Sequence, residues 1–451
     1  MVRWPKRFAY VVLICVLAFG VTPAAGFGQD LGVEGPDTGT EAGTRFAPER
    51  LFSAPGQRHD DWEPSVAADD FGHVYVAATR FDGPKACRDC PDPAIVFERS
   101  GDGGRTWSGP RFLCPCSGVD GQADPVLVTD ERGRLFATWM NDFVVQFARS
   151  DDFGRTWTYA RPVDWRLRWS DKPWIGVSDD GEDVYITFNG PGRSAGTPYT
   201  VYSHDAGATW SRPVGGVRTN GLYWFAGGLT VTPEGTAISS QDAYEQDYKG
   251  NVRLYVLRSE DGGRSWSRVP IAESRQGRRC PQGAGCGLGF LGPQIATTSD
   301  GGGRVYVLWN QTSRSGGPAR VYLRWSNDEG KTWSPARKIS SSGEGGVDSE
   351  FPMIVAAGRG DVRVAWMDNR TGRWNTWYRR STDGGRTWSD AVRLSDRPDG
   401  APYKSARGFG FPYGDYGQLA VDGRGRTHAA WGEGPSYTGP GGAWYTRSSS
   451  P

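Results

Sequence analysis

The sequence predicts an all-β chain folded as a seven-bladed β-propeller of four-stranded blades. Three observations carry that expectation. A signature, RSGDGGRTWS at 99–108, returns as RSDDFGRTWT from Arg149, YSHDAGATWS from Tyr202, RSEDGGRSWS from Arg258, WSNDEGKTWS from Trp325 and RSTDGGRTWS from Arg380. A second pattern, two short runs rich in Val, Ile, Tyr and Ala around a polar turn, begins at Glu63, Asp124, Lys172, Gly227, Gly292, Phe351 and Tyr416. No stretch of useful length shows helical periodicity.

Each two-run pattern reads as a hairpin, followed by a third strand such as VVQFARS or RLYVLRS, then the signature as a tight turn, then a fourth strand such as ARKIS or AVRLS. One such unit is the repeat of a propeller blade. The last repeat stops at GGAWYTRSSSP, where a signature should begin, so its blade lacks a fourth strand. The segment ERLFSAP, ahead of the first hairpin, resembles the missing strand. Pairing the two termini closes the ring and covers an otherwise open sheet edge. Six blades with one stray repeat is the alternative.

Before the repeats, Arg3, Lys6 and Arg7 precede an apolar run from Phe8 to Phe19, with small residues at Thr22–Gly26. That order marks residues 1–25 as a cleaved export signal, since a membrane span needs about 20 apolar residues. Residues 26–48, rich in Gly, Thr, Pro and acids, read as a flexible leader. The propeller is expected over 49–451, in a secreted, monomeric protein with no membrane contact after cleavage. A formal charge of +1 provides no basic field for nucleic acid.

Six cysteines lie beyond the signal: Cys87, Cys90, Cys114, Cys116, Cys280 and Cys286. An even number in an exported chain predicts disulfides. Cys114 and Cys116 are expected to reach across to Cys87 and Cys90, and Cys280 to join Cys286. A four-thiolate zinc site is the alternative for the first four.

In the signature, the aspartate (Asp102, Asp152, Asp205, Asp261, Asp328, Asp383) suits a turn, accepting bonds from nearby backbone N–H groups. The glycine two positions on permits a positive φ, and each tryptophan has a ring to bury on the neighbouring sheet. A catalytic group is not needed six times around a ring, so the signature is scaffold. These residues resemble the Asp-box (BNR) repeats of sialidases, xyloglucan-cleaving propeller enzymes and sortilin-type receptors. The resemblance covers nearly all of the chain after the leader and implies the propeller fold.

Strand direction places the signature on the same side as the hairpin turns, so the opposite side holds the candidate site. First strands bring acids there: Glu63, Asp124, Asp171, Glu350 and Asp415. Second strands end there with Arg80, Asn141, Asn189, Asp368, Arg370 and Glu433, and aromatic-rich connections add Trp174 and Trp224. Carboxylates, amides and flat rings in one funnel suit a glycan: rings stack on its C–H faces, amides bind its hydroxyls, and a carboxyl pair can cleave a glycosidic bond. Strand-end capping or a structural Ca²⁺ is the alternative use of the acids; no other cofactor is expected.

The sialidase resemblance implies a tyrosine nucleophile and an arginine clamp for a sugar carboxylate. The stretch DYGQLAVDG makes Tyr416 the tyrosine match, whereas DWEPSV puts Trp62 and Glu63 where the first clamp arginine would stand. Of the histidines, only His59 is expected near the funnel. The expected activity is that of an exo-acting, sialidase-like glycoside hydrolase using Asp124, Asp171, Glu350, Asp415 and Tyr416, with Glu63, Arg80, Asn141, Asn189, Asp368, Arg370, Trp174, Trp224 and Glu433 binding the glycan. A non-catalytic glycan- or protein-binding propeller and a polysaccharide lyase are the rival expectations.

Overall fold

In the computed structural model, the residues described are 44–52, 60–81, 85, 87–114, 116–118, 121–163, 167, 169–192, 196–217, 221–245, 251–275, 293–340, 346–372, 374–395, 416–433 and 442–451. They form seven four-stranded antiparallel sheets, the blades of a propeller. The first strands of blades 1 to 7 are Asp60–Ala68, Gln122–Thr129, Asp171–Val177, Tyr223–Val231, Ile295–Ser299, Ser349–Ala357 and Gln418–Val421. Each contacts the next, and the last contacts the first, so they line a closed central channel.

Ring closure follows the expected route. Arg50–Leu51 is the fourth strand of blade 7, pairing Arg50 with Tyr445 and Leu51 with Trp444. The propeller also begins earlier than composition indicates. Ala47 N donates to Arg447 O and Ser449 N to Arg45 O, both at 2.8–2.9 Å, so residues 45–48 belong to the ring and not to the leader. Phe46 then meets Tyr378 of blade 6 edge to face, with ring centres 4.9 Å apart.

The signature tryptophans show why Phe46 is needed. Trp107, Trp157 and Trp210 each pack edge to face on an aromatic ring of the preceding blade, Tyr445, Phe97 and Phe147, at 4.8–5.4 Å. Blade 7 has no signature, and Phe46 fills the corresponding gap. Four signature indoles also donate to the carbonyl of the glycine three residues earlier, as Trp210 does to Gly207 O at 3.0 Å.

Within the turn, Asp102 Oδ1 accepts from the N–H groups of Arg105 and Thr106, and Oδ2 from the Thr106 hydroxyl. The same bonds recur at Asp152, and the threonine or serine bonds recur at Asp205, Asp261, Asp328 and Asp383. Signature turns touch hairpin turns directly: Gly103 N donates to Gly72 O and Gly384 N to Gly360 O. The two kinds of turn therefore share one face, as strand direction requires.

The second strands form the interior of each blade and are almost wholly buried; Trp139, Trp309, Trp366 and Trp431 on them are at most 1% exposed. The cysteines depart from expectation. Bonds form within each local pair, Cys87–Cys90 and Cys114–Cys116, whose Cα atoms stand 4.9 and 5.2 Å apart, inside the span a disulfide bridges. Cys280 and Cys286 lie outside the described residues.

Candidate functional site

The site begins with a backbone irregularity that recurs in the first strands. In blades 1, 2, 3, 4 and 6 the pairing to the second strand slips by one residue near the strand start. In four of these the bulge carries an X-Pro step, at Pro64, Pro125, Pro173 and Pro352. Proline has no N–H for a ladder, so it sits at such bulges without loss. The residue ahead of each proline takes the left-handed conformation: Glu63 (φ 54°), Asp124 (57°), Lys172 (49°) and Phe351 (56°). Four strained non-glycine residues at one depth in a ring mark that level as the candidate site.

Counting back from the pair that ends each hairpin, five residues in blades 1 to 5 and 7 and six in blade 6, whose pairing runs one residue further into the turn, identifies this level as Glu63, Asp124, Lys172, Ala226, Gln294, Phe351 and Tyr416. Asp171 and Glu350 stand one residue further out, paired with Asn189 and Met367. The predicted acids therefore occupy two levels of the mouth rather than one. Asp415 and His59 lie outside the described residues.

From this level inward the channel holds a cavity of about 340 Å³, with Lys172, Trp174, Asp242, Gln294 and Tyr416 on its wall. Side chains of blades 3, 4 and 7 meet around Lys172. The Lys172 ammonium stands 5.5 Å from the Phe225 ring centre and 6.0 Å from that of Tyr416, within cation–π range. Trp174 lies 5.5 Å from Tyr416, tilted by 57°. The Tyr416 hydroxyl donates to the Pro125 carbonyl at 3.1 Å. Glu63 and Asp124 are 7% exposed, Asp242 5% and Glu350 4%, so the acids are held deep in the protein.

Other predicted residues have structural partners. Arg80 forms a two-pronged pair with Asp61, at 2.7 and 2.8 Å. Arg370 grips Asp368 and lies 3.9 Å over Trp377. Asp368 and Glu433 each accept the indole N–H of a tryptophan two residues back, Trp366 and Trp431, at 2.8 and 3.0 Å. Asn141 donates to Ser117 O, and buried Asn189 donates to the Tyr223 hydroxyl. Trp224 is fully buried, stacked on Tyr255 at 4.9 Å, so it belongs to the core of blade 4 and not to the funnel wall. Of the predicted set, Trp174 and Tyr416 meet directly on the cavity wall.

Lys172 and Phe225 were not singled out by sequence. The signal for Lys172 was the Lys-Pro step that matches Glu-Pro, Asp-Pro and Phe-Pro elsewhere in the ring. Histidines play supporting parts: His73 lies 2.9 Å from Asp69, His204 2.6 Å from Asp183, and His428 is buried between Asp422 and Tyr445. Among the described residues, no group of three or more His, Cys, Asp or Glu is spaced to hold a metal ion.

Fold and site together define a seven-bladed propeller with an aromatic and acidic channel mouth carrying Lys172 among its rings. No family model matches the chain, and no curated protein matches it. Among solved structures, it is similar to an ulvan lyase of a new polysaccharide lyase family, bound to -[GlcA(1-4)Rha3S]-, at 13% identity over 89% of this chain and 95% of that one, TM-score 0.53. It is likewise similar to a protein of unknown function from Dyadobacter fermentans, at 14% identity over 90% and 98% of the two chains, TM-score 0.52. A Hadza microbial sialidase aligns at 15% identity over 83% and 76%, TM-score 0.45. At such identities the likeness is one of fold.

Proposed function

We propose that this protein is a secreted, monomeric, carbohydrate-active enzyme of the Asp-box, sialidase-like kind, cleaving glycosidic bonds in a glycan held at the channel mouth. The observation that supports this reading is the meeting of Tyr416, Lys172, Trp174 and Phe225 from three blades above one cavity. Rings of that kind stack on sugar C–H faces, and the acids at the starts of the first strands supply the groups a hydrolase needs.

In hydrolysis, one carboxyl among Asp124, Asp171, Glu350 and Asp415 protonates the leaving glycosidic oxygen. A second, or Tyr416, attacks the anomeric carbon directly or through water. Arg80 and Arg370, which strand position brings toward an anion, are paired with Asp61 and Asp368, so the reading is not tied to sialic acid.

A second reading, β-elimination on a uronic acid, is favoured by Lys172 beside Tyr416. Tyr416 as its phenolate takes the proton α to the sugar carboxylate while Lys172 offsets the carboxylate charge; the electron pair forms a carbon–carbon double bond, and the departing glycosidic oxygen takes up the proton from Tyr416. The solved ulvan lyase of the same fold also holds an acidic glycan.

The test is incubation with sialosides, neutral glycans, polyuronates and sulfated polysaccharides, following reducing ends and the ultraviolet absorbance of a new double bond. Reducing ends alone establish hydrolysis; both signals together establish elimination. Binding with neither signal, or full turnover in the combined Asp124→Asn, Asp171→Asn, Glu350→Gln and Asp415→Asn variants, overturns the assignment of these acids.

A further inference from the structure

We infer that Gln418 is a positioning residue that holds Tyr416 across the seam where the ring closes; this rests on the reading of the mouth as the reaction site. Both residues come from blade 7, and both reach past blade 1 to blade 2. Tyr416 OH donates to Pro125 O at 3.1 Å, and Gln418 Nε2 donates to Leu127 O at 3.3 Å. Donors and acceptors share the two-residue spacing of an extended strand, so one register serves both bonds.

Blade 1 makes this reach feasible by presenting a serine. Fully buried Ser65 donates its hydroxyl to Gln418 Oε1 at 2.5 Å, and Val66 N donates to the same oxygen at 3.3 Å. Leu127 N in turn donates to Ser65 Oγ at 2.8 Å. The Gln418 carboxamide thus uses its oxygen on blade 1 and its nitrogen on blade 2.

The cause lies in the geometry of the inner strands. Their channel-facing edge carries N–H and C=O groups that no ladder satisfies, and buried backbone groups need partners. The bulge between Ala123 and Val126 takes Pro125 out of the ladder, leaving its carbonyl for Tyr416. Gln418 anchors the strand two residues on, so the phenol starts from one place, and catalytic groups lose rate steeply when displaced by an ångström.

The test uses the full chain carrying Gln418→Leu, with Ser65→Ala as a second variant that keeps the glutamine. Two readouts separate this inference from the functional reading. Fluorotyrosine incorporated at position 416 reports the ring's surroundings by fluorine NMR whether or not any glycan is cleaved. Both variants are expected to move that resonance toward the position of free fluorotyrosine. On a glycan that the wild type cleaves, kcat is expected to fall about tenfold or more with KM within about twofold. An unchanged fluorine resonance in folded Gln418→Leu and Ser65→Ala proteins overturns the inference. So does a lowered melting temperature with kcat intact. A shifted resonance in a protein that cleaves no glycan sustains the positioning role and defeats the functional reading instead.

Discussion

Lys172 stands at a strained bulge, half-buried, with its ammonium between two aromatic rings contributed by other blades. A lysine so placed can meet a sugar carboxylate or sulfate as a point charge while its stem covers apolar surface. Lys172→Met keeps that stem and removes the charge. It is expected to lower kcat/KM on an acidic glycan about tenfold or more, corresponding to roughly 1.4 kcal/mol, and to shift unfolding stability by under about 1 kcal/mol. Denaturant unfolding beside the kinetics checks both halves, and unchanged kcat/KM removes Lys172 from the site. Trp174 and Tyr416 were legible because their local motifs stood out. Asp368 and Glu433 were not legible as structural: the spacing Trp-x-Asp and Trp-x-Glu puts both side chains on one face of a strand, where the carboxylate takes the indole N–H.

The repeated turn holds a set of carboxylates below their ordinary range and so is expected to contribute to the fold's response to acid. The hydroxyls of Ser203 and Thr209, with the Thr209 N–H, hold the Asp205 carboxyl down to about 2. At Asp102 burial works the other way, but bonds from Thr106 outweigh it, and the value is again about 2. Asp152, Asp261 and Asp328 are lowered to about 2 by the same kind of contact, although burial opposes the shift. A folded-state pKa below the unfolded value of about 4 means that the unfolded chain binds more protons in between. The stabilisation is therefore complete above about pH 4 and is lost as pH falls toward 2. Stability measured by denaturant titration should be flat with respect to these groups above pH 5 and drop steeply between about 4 and 2. An equal slope in a chain whose signature aspartates are changed to asparagine would assign the acid response elsewhere. The turn's chemistry was readable from its letters because all its bonds are local, spanning four residues or fewer.

At the scale of the whole molecule, closure is made by a short segment doing several jobs. Arg50 and Leu51 complete a sheet, Phe46 fills the place of a seventh tryptophan, and Arg50 pairs with Glu98 of blade 1 at 2.8 Å. Glu98 is fully buried, and burial pushes its carboxyl up despite the opposing pull of Arg50. Removing one partner of such a pair leaves the other without compensation. Arg50→Met is expected to destabilise the propeller by about 2–4 kcal/mol and to lower the thermal midpoint. Glu98→Gln in the same background should restore part of the loss. A single variant within 0.5 kcal/mol of wild type, roughly the scatter of ordinary surface substitutions, would show that the ion pair does not secure the ring.

The amino-acid sequence alone determined the repeat, the strand count per blade, the shared last blade and the face on which a site could form. Each of these follows from local periodicity and from the direction in which strands run. Tertiary structure decided which side chains meet. Trp224 turned into the core of blade 4, and a buried ion pair took Arg80 out of reach. Tyr416 reached a carbonyl 291 residues away. Such pairings depend on how seven sheets rotate about one axis, and no spacing within a single repeat encodes that rotation.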